Sequence, residues 1–258
     1  MNARFAFGRI FYAVAVIAFG IQHLIHGAFV TRVVPSLPDW IPAHTVLAYL
    51  CGALLGAIGI ALLARIRLRT AGLVLATLLT ASVVLLYLPS LAANPYQPGV
   101  ITNTFKAIAL CGGALVLINL ECGGIRTTSP IDRLLPCGRY LFASFLIVAG
   151  VQHFMYAPFV ATLVPAWVPP SQLFWTWLAG AALIAGGLGI MVPQTTRLAA
   201  TLTGVMIFLW VPMLHIPRAL ADLHNANETT AVFEALAMSG IAFMIAAHTR
   251  EARFGATG

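Results

Sequence analysis

Charge is scarce in this chain. Asp, Glu, Lys and Arg make up 8% of its 258 residues, where a soluble domain carries about a quarter. That scarcity excludes a water-soluble globular fold before any motif is read. Redox motifs are absent as well. No CxxC pair, Rossmann-type glycine fingerprint or haem attachment sequence occurs, so the chain alone holds no recognisable electron carrier. There is also no long basic arm. The formal net charge is +7, but the arginines are spread over short loops, which argues against a nucleic-acid partner. Of the four cysteines, Cys51 and Cys111 lie in apolar runs and read as small filler. Cys122 and Cys137 fall in a loop expected to face the reducing cytoplasm.

Apolar sequence fills the rest. Hydrophobic residues account for 60% of the chain, and the mean hydropathy is +0.94. Eight apolar runs are long enough to cross a hydrocarbon core of about 30 Å. They cover roughly residues 6–28, 44–64, 69–89, 102–120, 138–157, 172–192, 196–217 and 229–248. The first run is too long for a signal-peptide core and ends in His23 and His26 rather than a cleavage site. The expected fold is therefore an all-α integral membrane protein in a lipid bilayer. Arginines mark its orientation. Arg4, Arg9, Arg65, Arg67, Arg69, Arg126, Arg133, Arg139, Arg197, Arg250 and Arg253 fall on one side, against Arg32 and Arg218 on the other. The positive-inside rule then puts both termini in the cytoplasm, with the chain in a bacterial-type inner membrane.

The chain also repeats itself. GRIFYAVAVIAFGIQHL from Gly8 aligns with GRYLFASFLIVAGVQHF from Gly138, and Trp40-Ile41-Pro42 aligns with Trp167-Val168-Pro169. Beyond these, the offset settles at 128 residues. Gly52 meets Gly180, Tyr87 meets His215, and Lys106 meets Glu234. The expected domains are residues 1–128 and 129–258, each a four-helix unit. Four spans is an even number, so both units enter the membrane in the same direction. They are expected to be two fused four-helix bundles, parallel repeats about a pseudo-two-fold axis along the membrane normal.

Three stretches of the second half, AGVQHFMYAPFVATLVPAWVP, GAALIAGGLGIMVPQTTRLAA and LHIPRAL, resemble the DoxX-like membrane proteins. The first half is less similar, with LYLPSL in place of LHIPRAL. The resemblance implies a four-helix membrane unit, present here in tandem. It further implies a membrane subunit of quinone-linked oxidation of sulfur compounds, working with a periplasmic or membrane redox partner.

Polar residues inside the runs gather toward the extracytoplasmic side, and the other leaflet is nearly pure hydrocarbon. The candidate ligand-binding residues are His23, Tyr87, Lys106, His153, His215, Arg218 and Glu234. An ionisable group near the bilayer centre costs about 2.5–3.5 kcal/mol on insertion scales. Glu234 is therefore expected to face the bundle interior, with His153 and His215 as its first partners and Arg218 next. Lys106 is expected to reach toward water, or else to pair with Glu234 across the two halves. Three chemistries stay open. His153, His215 and Glu234 form a two-His-one-carboxylate set that can hold a transition metal, though Lys106 would repel a cation and no metal site is assigned. The same groups can grip the polar head of a quinone or a lipid. They can also simply lock the helices together. At the level of function the alternatives are a quinone-binding redox subunit, a small-molecule or lipid transporter or binding module, and a scaffold without catalysis. The dry cytoplasmic leaflet argues against transport. His26, His44, His224 and His248 are expected to be solvated. The proline-rich loops 29–42 and 159–170 are expected to lie on the outer surface as lids anchored by Trp40 and Trp167. Pro212 is expected to kink its helix.

Overall fold

The computed structural model describes residues 3–35, 37–121 and 129–254. Cys122 and Arg126 lie outside the described residues, as do the side chains of Arg4, His248, Arg250 and Arg253. No strand occurs among the described residues. A chain this apolar must satisfy its backbone internally once water is gone, and helices do so within one segment.

Among the described residues, eight helices are long and apolar enough to span a membrane. They are α1 (Ala6–His26), α2 (His44–Ala64), α3 (Leu68–Ala93), α4 (Pro98–Glu121), α5 (Pro130–Met155), α6 (Gln172–Met191), α7 (Thr196–Ala221) and α8 (Ala226–Ala247). They follow the eight apolar runs apart from their ends, and α5 begins eight residues before its run, in the 3-10 turns Pro130–Arg133 and Leu135–Cys137. Helices α4 and α8 begin three to four residues before their runs, because Pro98-Gly99-Val100-Ile101 and Ala226-Asn227-Glu228 are helical without being uniformly apolar. Lys106 and Glu234 consequently lie two turns into their helices, about 12 Å along the axis, rather than one.

Neighbours in sequence are neighbours in space. Each helix from α1 to α8 packs on the next, α8 packs back on α1, and α4 meets α8 across the middle of this ring. The two central helices are the most deeply buried. Glycine sets several crossings. A Cβ on Gly8 would lie 2.7 Å from the carbonyl oxygen of Gly240, and one on Gly112 would lie 2.5 Å from that of Gly138. These pairs bring α1 against α8 and α4 against α5 at backbone distance. Gly20 with Gly52, and Gly150 with Gly180, do the same for α1–α2 and α5–α6. At the centre, Gly113 of α4 meets Ile241 of α8: a Cβ on Gly113 would fall 2.6 Å from Ile241 Cγ1.

Helices α3 and α7 each contain one wide turn of π-helix, at Val83–Tyr87 and Val211–His215, followed by a short α-helical end, Leu88–Ala93 and Ile216–Ala221. Pro212 sits inside the second wide turn. The first holds no proline itself; what the two turns share is a proline two residues beyond, Pro89 and Pro217, which cannot donate to the carbonyl four residues back inside the wide turn. At the end of the bundle that holds the termini, Arg9 is buried and donates to the carbonyls of Leu62 and, at 2.7 Å, Leu63. A cation is thereby placed on the unpaired carbonyls at the C-terminus of α2. The sequence reading treated Arg9 only as a topology signal.

Candidate functional site

The polar groups within the spans collect at the other end, beneath the loop between α1 and α2. The carboxylate of Glu234 is 7% exposed and is shared by two cations. Lys106 Nζ donates to Oε1 at 2.7 Å. Arg32 donates to Oε2 from Nη2 at 2.7 Å and from Nε at 3.2 Å. The lysine is as buried as its partner, while the arginine side chain is 32% exposed. Burial works against the charge of Arg32, but the neighbouring carboxylate outweighs it and holds the guanidinium pKa above its ordinary value. Tyr87 is buried and donates to the backbone carbonyl of Arg32 at 3.2 Å. The end of the π-turn in α3 thus holds the arginine in place.

This arrangement corrects the expected partners of Glu234. Neither His153 nor His215 bonds it, and Arg218 is engaged elsewhere, in a two-point pair with Glu228 at 2.6 and 3.0 Å. Lys106 turns inward to Glu234 instead of reaching for water, where the hydrogen-bonded ion pair offsets the burial of its charge. Arg32 was missing from the candidate residues. It lies in a loop, where sequence reading counts it as one more positive charge. The signal that could have found it is that a carboxylate inside a span attracts cations, and besides Lys106 this side offers only Arg32 and Arg218.

The two QH pairs take different environments. His23 is fully buried. Its Nδ1 lies 2.7 Å from the Phe19 carbonyl, and its Nε2 accepts from the Val30 amide at 3.4 Å. The ring meets Phe29 edge-on. His23 therefore fastens the first loop and leaves no nitrogen for a ligand. His153 repeats the first bond, 2.7 Å to the Ala149 carbonyl, and stacks on Trp210 with centroids 6.4 Å apart. Its Nε2 has no hydrogen-bond partner among the described residues. His215 ends the π-turn of α7 within electrostatic reach of Glu234, Arg218, Arg32 and Glu228, and neither of its nitrogens is hydrogen-bonded among the described residues. Each glutamine bonds the helix beside its own, Gln22 of α1 to α8 and Gln152 of α5 to α4. Gln22 accepts from Thr230 at 3.2 Å, and Gln152 accepts from Thr102 at 2.7 Å. Gln22 Nε2 is buried with no partner among the described residues.

Among the described residues, no three His, Cys, Asp or Glu side chains converge as a metal site would require. The proposed triad of His153, His215 and Glu234 is not assembled. His26 and His224 are exposed, whereas His44 is half-buried beside the Pro38 carbonyl. Trp40 and Trp167 stand out from the protein, 80% and 73% exposed, as anchors at a lipid boundary would.

Residues 142–246 match the model of a domain of unknown function, DUF8561. The match runs from within α5 to the end of α8. No curated protein and no solved structure matches the chain.

Proposed function

We propose that this protein is a DoxX-like binding module of the bacterial inner membrane that takes the polar head of a quinone or a similar small amphiphile at its extracytoplasmic end. It would serve a redox partner, since it carries no electron carrier of its own. The observation that carries this reading is a surplus of polar groups at one end of the bundle. Two cations share one carboxylate there, and two imidazoles keep open nitrogens. A scaffold needs the ion pairs, but half-buried imidazoles with open nitrogens add nothing to it. The positive-inside distribution of arginine supports placing this end outside. The middle and far half of α4, from Ala107 to Ile118, is lined by small and aliphatic residues, which argues against a polar path across the bilayer.

The tandem-repeat reading has support at several points. Lys106 and Glu234, which meet at the centre, are 128 residues apart. So are the two π-turns, and so are Thr102 and Thr230, each bound to a glutamine of the other half. A pseudo-two-fold axis passing between α4 and α8 accounts for all three.

The test is native mass spectrometry of protein purified in mild detergent, together with extraction of whatever is bound. A retained quinone or other headgroup-bearing amphiphile at one per chain is the expected result. An empty protein that also binds no added quinone, and whose Glu234→Gln and His153→Phe variants change only thermal stability, would leave the scaffold reading in its place.

A further inference from the structure

At the end of the bundle that holds the termini, the helix connections differ between the halves. In the second half α6 reaches α7 through Val192, Pro193, Gln194 and Thr195, none of them at positive φ. Thr195 and Thr196 turn their hydroxyls back onto the carbonyls of Gly189 and Ile190, at 2.8 and 3.0 Å. In the first half three residues, Arg65-Ile66-Arg67, join α2 to α3. Arg65 has φ 61° and Arg67 has φ 44°, two of the three non-glycine residues at positive φ among the described residues. Glycine takes this left-handed conformation freely, whereas the Cβ of an arginine crowds the backbone there.

Neither arginine side chain is needed to finish the helix. The Ala61 carbonyl accepts from the amides of Arg65 and Ile66, and those of Leu62 and Leu63 accept from Arg9. Close ion pairs do not hold them either. Arg65 lies 3.9 Å from Glu121 with its side chain 46% exposed. Arg67 is exposed and has no hydrogen bond or ion pair among the described residues. Two residues on, Arg69 donates to Asp132 at 2.8 Å and ties this connection to the 3-10 turn Pro130–Arg133 at the start of α5. Arg133 of that turn is exposed, as are its neighbours Ile131 and Leu134. Ile66, between the two left-handed arginines, is 57% exposed. The patch thus sets Arg65, Arg67, Arg69 and Arg133 against Glu121 and Asp132, a surplus of positive charge beside exposed aliphatic side chains.

We propose that this patch is a binding site for an anionic phospholipid, with the guanidiniums of Arg65 and Arg67 on its phosphate and Ile66, Ile131 and Leu134 against the first carbons of its chains. A guanidinium pairs with a phosphate at two points, and basic groups at the ends of spans meet the headgroup layer. The exposed aliphatic residues favour a lipid over a free phosphate. The crowded backbone then has a use, since it presents two exposed arginines from one three-residue connection. The proline-containing connection of the second half presents none. This site lies at the opposite end from the ion cluster and does not depend on the quinone reading.

The whole chain in mild detergent is titrated with phosphatidylglycerol and with phosphatidylcholine of the same chains, and adducts are counted by native mass spectrometry. One phosphatidylglycerol binds per chain about twentyfold more tightly than phosphatidylcholine, at about fivefold per arginine. Arg67→Gln lowers this preference about fivefold. Arg65→Gly combined with Arg67→Gly removes it without lowering the lipid-free melting temperature, because glycine suits the turn. Arg197→Gln takes one exposed arginine from the same end of the second half and leaves the preference unchanged. Equal binding of the two lipids, a preference that survives the arginine variants, or one that Arg197→Gln lowers as much as Arg67→Gln does, overturns the site. Displacement of the lipid by an equal concentration of glycerol phosphate overturns its assignment to a lipid. Should the glycine variant fold poorly, Arg67→Gln and Arg197→Gln decide between them.

Discussion

Glu234 neutralises only one of the two cations it touches, and the sign of that imbalance predicts how its partners tolerate substitution. Glu234→Gln leaves Lys106 and Arg32 facing each other in a low-dielectric interior with no counter-charge, at a cost of about 3–5 kcal/mol. Lys106→Met leaves the Arg32–Glu234 pair intact and makes the cluster neutral, so the expected loss is less than half as large. Apparent melting temperatures of the two variants in the same detergent check this ordering. Equal losses would mean that the Lys106 bond itself, and not the residual charge, sets the energy. The sequence makes part of this cluster legible: Lys106 and Glu234 stand 128 residues apart, at matching places when the two halves are aligned, so a pair across the halves is among the expectations. The position of Arg32 was not legible, because it depends on a loop being folded back over the bundle by bonds from His23 and Tyr87.

At the scale of elements, hydropathy located all eight helices, because a span must be apolar on most faces to sit in lipid. It missed the first turns of α4 and α8, where backbone helix extends into polar sequence. It was also silent on the different fates of GIQHL and GVQHF, whose histidines share an inward bond but meet different loops. Helix contacts are testable here. Gly112→Val would drive a side chain into the Gly138 backbone and is expected to cost about 1–3 kcal/mol as α4 and α5 separate. Gly56→Ala adds a methyl where no atom lies within 4 Å and is expected to stay within about 0.5 kcal/mol of the parent. Thermal unfolding of the pair compares them directly. A tolerated Gly112→Val would refute backbone contact at that crossing. In α2, Gly52 and Gly59 have their Cβ directions blocked by α1, whereas Gly56 does not.

For the whole molecule, orientation is the prediction with the widest reach. In a cysteine-free background, a cysteine replacing the exposed Tyr96 between α3 and α4 should react with a membrane-impermeant maleimide on intact cells. One replacing Arg67, between α2 and α3, should react only after the membrane is opened. The reverse pattern would put the ion cluster in the cytoplasmic leaflet and remove the argument for a site that opens outward. The contact between α4 and α8 bears on the molecule's history as well. Ammonium faces carboxylate there, and an empty glycine position receives an isoleucine. If each half instead met a copy of itself, one assembly would set lysine against lysine around a void, and the other glutamate against glutamate around colliding methyl groups. On the proposed tandem-repeat reading the two halves have diverged into a lock and its key, and this centre closes only where one of each is present.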